Sequence, residues 1–362
     1  MKLAWKEIRF NKKKYILIEL ILIMMMFMVI FLSGLANGLA RAVSAGIDNA
    51  PAQNYVLSTD AQDLISVSSV NNTDLDKVRE VTGDKVTPLD LQMTNINKKG
   101  DSKKISVTYF AINPEDFLNP KAVEGQKLSD KKDTIVLDSS LKDSGIKVGD
   151  VVKDSSIGTQ FTVVGFAKNQ MYGHAPIGFI SLDTYAELKK SANPMSLVEQ
   201  KYNALAINGK DIKNIKVTGL EVVDRKTIIK NIPGYTAEQM TINMILWVLV
   251  FVSAVVLGVF FYIMTLQKHK EFGVTKAIGM NMLEIAGIQM SQILILAIFG
   301  VIIGNALGFG MASVLPSSMP FYLKTSSAAE ISGAFILISI VCSLVSIREI
   351  AKVDPITIIG GN

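Results

Sequence analysis

The side chains able to do acid–base or nucleophilic work in this 362-residue chain are sparse. Its only histidines are His174 and His269, and its only cysteine is Cys342. An imidazole can serve as a general base and a thiolate as a nucleophile. Here no serine, histidine and aspartate stand at a spacing that suggests a triad. No H-E-x-x-H, G-x-S-x-G or C-x-x-C pattern occurs, and no Walker loop is present to cradle nucleotide phosphates. One cysteine permits no internal disulfide and no thiolate metal site. Glu19 draws notice because it falls inside an apolar run, where ionisable groups are costly and often functional. It is also five residues past Lys14, a depth that suits the headgroup level. The residue inventory points away from catalysis by this chain.

The elements that carry these residues are set by four apolar runs. A bilayer core needs about 20 apolar residues per helix. Runs of that kind cover residues 15–45 (a span and its extension), 240–266, 285–314 and 331–347. Residues 46–239 form a polar insert between the first and second. The composition fits: 49% hydrophobic residues and a mean hydropathy of +0.35, averaged over two unlike populations. The first run follows a basic head and precedes an Ala40-Arg41-Ala42 triplet that resembles a cleavage site. Signal-peptide cores are usually about 7–15 residues, so the longer run reads as an uncleaved anchor.

Basic residues set the expected orientation. Segment 1–14 holds Lys2, Lys6, Arg9, Lys12, Lys13 and Lys14, and segment 267–284 holds Lys268, Lys270 and Lys276. The tail 348–362 adds Arg348 and Lys352, while loop 315–330 has only Lys324. Both termini and segment 267–284 are therefore expected in the cytoplasm of a cell-membrane protein, with 46–239 and 315–330 outside. Residues 38–239 carry 25 basic and 25 acidic side chains, so the net charge of +5 sits on the cytoplasmic side, where anionic membrane lipid favours it. Nucleic-acid binding is not needed to explain the basic balance.

Within the spans, Gly300, Gly304 and Gly308 repeat every four residues, a pattern that lets helices approach closely. The insert alternates strand-like and helix-like pieces. Strands are expected at 104–111, 134–137, 151–153, 161–166, 202–207 and 220–223. A short helix is expected at 139–144, and another at 183–190 with Asp183 as its cap. The expected fold is a four-helix membrane protein with an α+β extracellular domain inserted between the first two spans.

Residues 270–280 read as a short helix just past the second span, closed by a glycine. Phe272, Val274 and Ile278 can bury against another surface while Glu271 and Lys276 stay wet. Such a helix suits either a lipid surface or a cytoplasmic motor. The amphipathic segment 1–10 and the Pro355 tail lie on the same face.

The Glu271–Gly279 stretch resembles the E-x-G-[IV]-x-[KR]-A-x-G signature of the FtsX/MacB-type ABC-transporter permeases. Val353-Asp354-Pro355-Ile356 is similar to that family's closing motif, and the span layout matches. The resemblance implies a non-catalytic, mechanotransmitting subunit. It would work as a homodimer with two copies of a separate ABC ATPase, contacted through Glu271, Phe272, Gly273, Lys276, Ala277 and Gly279. Patterns at both ends and in all four spans resemble the haem-efflux branch of the family. That implies haem (hemin) as transported substrate rather than cofactor, and no metal or other cofactor. In that branch, tyrosines of the outside domain near the membrane are implicated in haem binding. The matching patterns here, Met171-Tyr172-Gly173-His174 and Gly234-Tyr235, imply Tyr172, Tyr235 and His174 as candidates. Ferric haem accepts a phenolate or an imidazole as axial ligand. Interface anchoring is the alternative role of each tyrosine, and an unliganded surface or core position that of His174. Related sequences carry an acid after the first span, whereas this chain has Ala40-Arg41-Ala42-Val43. Export of another amphiphile, such as a peptide or lipid, or a non-transporting relay to an external partner, would suit the same layout.

Overall fold

The computed structural model describes residues 2–192, 201–209, 215, 217–316 and 319–351. The tail motif at 353–356 lies outside the described residues. The helices are α1 (Lys2–Phe10), α2 (Lys12–Asp48), α3 (Asn72–Thr82), α4 (Leu182–Ala192) and α5 (Arg225–Asn231). They continue with α6 (Tyr235–Gln267), α7 (His269–Ala277), α8 (Met282–Val314) and α9 (Thr325–Ala351). The chain divides into two compact units. A helical unit takes the residues up to Asn37, Thr241–Leu315 and those from Phe321 on; the second unit takes Gly38–Met240 with Pro316 and Pro320.

Among the described residues, four helices are long and apolar enough to cross a bilayer: α2, α6, α8, and α9 over Thr325–Ile347. Each begins before its apolar run, because polar residues complete the first turns. α8 starts at Met282 rather than 285, where Asn281 and Glu284 form a reciprocal capping box. α6 starts at Tyr235 rather than 240, and α9 at Thr325 rather than 331, on polar turns that hydropathy alone does not register. The bundle core is apolar: Leu22, Met26 and Ile30 of α2 meet Leu257 and Phe261 of α6, Ile293 of α8 and Phe335 of α9. The glycine repeat packs α8 onto α2. A Cβ at Gly300 would stand 3.2 Å from Leu22 Cβ, one at Gly304 2.7 Å from Met26 Cγ, and one at Gly308 would collide with Ile30. The pairs 300/22, 304/26 and 308/30 ascend together, so the two helices run parallel.

The inserted unit is built on a mixed sheet. Its first strands are β1 (Asn54–Ser58), β2 (Val70–Asn71), β3 (Val86–Lys98), β4 (Ile105–Ile112) and β5 (Ala122–Gly125). Then come β6 (Thr134–Asp138), β7 (Val151–Asp154), β8 (Gln160–Ala167), β9 (Met171–Tyr172) and β10 (Ala175–Ser181). The last are β11 (Lys201–Tyr202), β12 (Ala204–Ile207) and β13 (Leu220–Asp224). The main order is β13-β1-β12-β3-β4-β10-β6-β8-β5, and β11 pairs β2 apart from it. Pairs β4–β10 and β6–β8 are parallel; the other registered pairs are antiparallel. The predicted strands are present with ends shifted by a residue or two, and the stretch 202–207 is split at Asn203, whose side chain accepts from Leu91 N at 2.9 Å. The 139–144 helix is a 3₁₀ turn capped by Asp138. α4 is capped not by Asp183 but by Ser181, whose Oγ accepts from Thr184 N at 3.2 Å. Strands β1, β3 and β10 and helix α3 add to the sequence reading.

One carboxylate organises the far end of the sheet. Asp154, 1% exposed, accepts from Ser156 N (2.8 Å), Ile157 N (2.9 Å), Tyr109 Oη (2.9 Å) and Thr94 Oγ1 (3.0 Å). Burial pushes its pKa up, but these hydrogen bonds outweigh burial and hold it below the usual carboxylate range.

Candidate functional site

Tyr172 precedes, and His174 lies within, the two-residue hairpin turn Gly173-His174 that joins β9 to β10, with Tyr172 paired to Ala175. Gly173 and His174 both adopt positive φ, +57° and +64°, as a type I′ turn demands. Glycine takes that geometry freely and histidine tolerates it. The turn's two amides do not point to solvent. Gly173 N donates to the Val43 carbonyl at 2.9 Å and His174 N to the Ala42 carbonyl at 3.0 Å. The hairpin is thereby fastened to the C-terminal part of α2.

The three predicted residues are brought together. Tyr172 is 4% exposed and packs edge-on against Phe110, centroids 5.6 Å apart. It shares one apolar cluster with Val43, Ile47, Ile228 and Ile232, and Tyr235 packs against that cluster from the first turn of α6. Burial pushes the Tyr172 phenol up to about 12, so it holds its proton at neutral pH. His174 is half exposed and its Nε2 stands 3.2 Å from Oε2 of Glu238, also in the first turn of α6. Gln239, next in the chain, has a buried Nε2 without a hydrogen-bond partner. Sequence reading missed Glu238. Its signal was the i, i+3 spacing from Tyr235, which puts both on one side of a helix.

The arrangement offers two phenols, one imidazole and one carboxylate around an apolar wall. A ferric centre could take a phenolate or the imidazole, and a metal's positive charge would offset the deprotonation that burial opposes. A cleft of about 700 Å³ opens in the same unit, lined by Tyr55, Phe110, Phe117, Phe179 and Lys168 among others. Phe110 is common to the cleft wall and to the Tyr172 contact. Tyr55 Oη, buried, has no partner there.

In the helical unit the predicted coupling residues form α7 and its turn. Phe272 is buried against Ile285 of α8, with Met280 and Met282 beside it. Gly273 is buried, while Glu271, Ala277 and Gly279 are exposed. Gly279 takes φ +100° and ends the helix, leading to Asn281 and the α8 capping box. The expected apolar face is divided: Phe272 turns inward, whereas Val274 and Ile278 are 50% and 82% exposed. Phe272 holds the loop and the other two present an apolar surface.

Glu19 lines a groove of about 270 Å³ with Trp5, Ile8, Ile16, Leu296 and Phe299. Both of its oxygens are buried without a hydrogen-bond partner. It lies against α8: Oε1 would stand 3.7 Å from a Cβ at Gly300.

Comparison with known proteins gives matches along nearly the whole chain. Residues 16–218 match the MacB-like periplasmic core domain and residues 243–355 the FtsX-like permease C-terminal domain. A protein named for hemin transport, the permease HrtB of Staphylococcus haemolyticus, is 31% identical over 100% of this chain and 99% of its own. Its namesake from Staphylococcus epidermidis is 30% identical with the same coverage. An uncharacterised ABC transporter permease of Mycobacterium tuberculosis is 23% identical over 99% of both chains. Among solved structures, the periplasmic region of MacB from Actinobacillus actinomycetemcomitans is similar at 13% identity, with a TM-score of 0.35 over 51% of this chain and 94% of that one. The extracellular domain of YknZ from Gram-positive bacteria aligns at 10% identity and a TM-score of 0.34, over 48% and 99%.

Proposed function

We propose, for a chain that belongs to the FtsX-like, MacB-type family of ABC-transporter permeases, that it is the membrane subunit of a pump exporting haem from the cytoplasmic membrane. The observation that carries the reading is the convergence of Tyr172, His174, Tyr235 and Glu238 beside the end of α2. Full-length likeness to permeases named for hemin transport supports it.

Haem is flat, amphipathic and partitions into lipid. Its ring would lie against the Tyr172–Tyr235 apolar cluster, with a tyrosine phenolate or His174 reaching the iron. Two copies of the chain pair through α2 and α6. On α6, Trp247 and Phe251 are 74% and 69% exposed, a surface that a second copy or lipid must cover. ATP is hydrolysed on a separate chain. Two ATPase subunits bind the cytoplasmic side, where the termini and α7 lie, through Val274, Ile278 and the predicted coupling set. Their closure displaces α7, and the movement of the spans squeezes the outer domains and expels the ligand.

The deciding experiment is haem titration of the purified full chain in lipid nanodiscs. Wild type should give a saturable spectrum that Tyr172→Phe with Tyr235→Phe abolishes. Equal affinity in the double variant would refute this site. A pump for another amphiphile would show instead as haem-independent, peptide- or lipid-dependent stimulation of the ATPase.

A further inference from the structure

A polar ring is closed inside the helical unit. Lys268 occupies the corner between α6 and α7, with φ −95° and ψ 0°. Its side chain is 4% exposed and ion-pairs with Glu7 of α1. Lys268 Nζ also donates to Gln292 Oε1 at 2.6 Å, and Gln292 Nε2 donates to the second oxygen of Glu7 at 2.5 Å. Tyr15 of α2 closes the ring from the side. Its Oη stands 3.2 Å from Gln292 Oε1 and 3.5 Å from Glu7 Oε1, and its ring lies 5.6 Å from Lys268 Nζ. Gln292 is fully buried.

Residues of α1, α2, the α6–α7 corner and α8 thus meet on one ion pair. Every hydrogen-bonding atom of the Glu7 carboxylate and the Gln292 amide is used. Burial lowers the Lys268 pKa and its hydrogen bond to Glu7 raises it, with burial the larger. Losing one member of a buried pair strands the other, which makes such a ring all-or-none. The middle of α7 is also fixed, through Phe272 on Ile285, and its exit leads into the capping box of α8. With its start and middle held, α7 is not a loose loop.

We infer that the Glu7–Lys268–Gln292 ring is a coupling latch: it fastens α1 to the corner of α6 and α7, so that a displacement of α7 is delivered to α1 and α8 together. Glu7 and Lys268 are positioning residues in this role. The inference rests on the proposed reading of α7 as the ATPase contact, and it adds α1 to the moving parts. Without the ring, α7 would turn about Lys268 and the stroke would dissipate locally.

The test uses the full chain in liposomes with its ATPase partner, in three forms: Glu7→Gln, Lys268→Met, and the exchange Glu7→Lys with Lys268→Glu. The Gln292 amide can flip to serve an exchanged pair, so the exchange keeps the ring and reverses its polarity. The first readout is the distance distribution between spin labels at Phe10 and Lys270, in a Cys342→Ser background without ATPase. A narrow distribution is expected for wild type and the exchange, and a broad one for each single variant. The second readout is substrate moved per ATP hydrolysed. It should fall at least fivefold in each single variant while the complex stays assembled, and recover at least half in the exchange. Unchanged distances, or unchanged transport per ATP, in the single variants overturns the latch. So does a loss of transport that the exchange fails to restore. A wild-type chain that neither binds the ATPase nor transports would instead sink the proposed function.

Discussion

His174 Nε2 and Glu238 Oε2 stand 3.2 Å apart, joining a hairpin turn of the sheet to the first turn of α6. The contact is half open to solvent and is therefore weak as a stabilising pair, about 1 kcal/mol or less. In the proposed haem site its role is to hold an imidazole beside the two tyrosines.

Replacing His174 by asparagine should isolate that role. Asparagine accepts the positive φ that the turn requires. Thermal unfolding should shift by no more than roughly 0.5 kcal/mol, while the visible spectrum of bound haem changes in band position. An identical spectrum would remove the imidazole from the site.

Haem affinity should rise with pH if Tyr172 binds iron. Burial holds the free phenol protonated up to about 12, so forming an iron–phenolate bond at neutral pH releases a proton. One proton released gives roughly a tenfold gain in affinity per pH unit. Titrations between about pH 6 and 8 should show that slope in wild type and a flatter one in Tyr172→Phe. A slope that Tyr172→Phe leaves unchanged would place the ligand elsewhere.

Gly304→Ala should destabilise the helical unit by about 1–3 kcal/mol, as overpacking does, because its new Cβ would lie 2.7 Å from Met26 Cγ. Trimming the opposing side chain, Met26→Ala, should recover part of the loss in the double variant. Melting in detergent, analysed as a double-mutant cycle, measures the coupling. Simple additivity would mean that the two helices do not meet here.

Val274→Asp with Ile278→Asp should leave the permease folded, since both side chains are exposed. Co-purification of the ATPase should drop at least tenfold, about 1.4 kcal/mol or more. Phe272→Ala should act differently, lowering the melting temperature by opening the contact with Ile285.

Asp154→Asn should cost the inserted domain roughly 3 kcal/mol, because a buried, multiply bonded carboxylate is replaced by an amide that turns donors toward donors. The Asp154 pKa is lowered in the folded chain. Its contribution is therefore complete above the unfolded carboxyl value of about 3.9 and is lost as pH falls through the lower folded value. Unfolding curves between about pH 5 and 2 should show a smaller acid-induced loss in the variant. Parallel pH profiles would show that Asp154 does not carry this dependence.

The four spans were legible because about 20 consecutive apolar residues leave few alternatives. Their ends were not, since Tyr235 and Thr325 begin polar turns that satisfy backbone groups without changing hydropathy. Strand β3 escaped because Pro88 and the polar residues after Leu91 break its alternation, and its place is set by partners on both sides. At the site, Tyr172, His174 and Tyr235 were found through resemblance alone. Their convergence with Glu238 depends on a turn bonded to α2, which no local pattern encodes. The Glu7–Lys268 pair was hidden for the same reason: Lys268 reads as one more cytoplasmic basic residue until the fold buries it against Glu7.

The three glycines of α8 each receive one α2 side chain at four-residue intervals. Such a rack cannot creep. Displacing α8 along α2 by a single residue would set full side chains against the backbone where a glycine stood, and the next seat lies about 6 Å away, a whole helical turn. Under load, the pair can pivot or jump a notch, but gradual axial drift is closed to it.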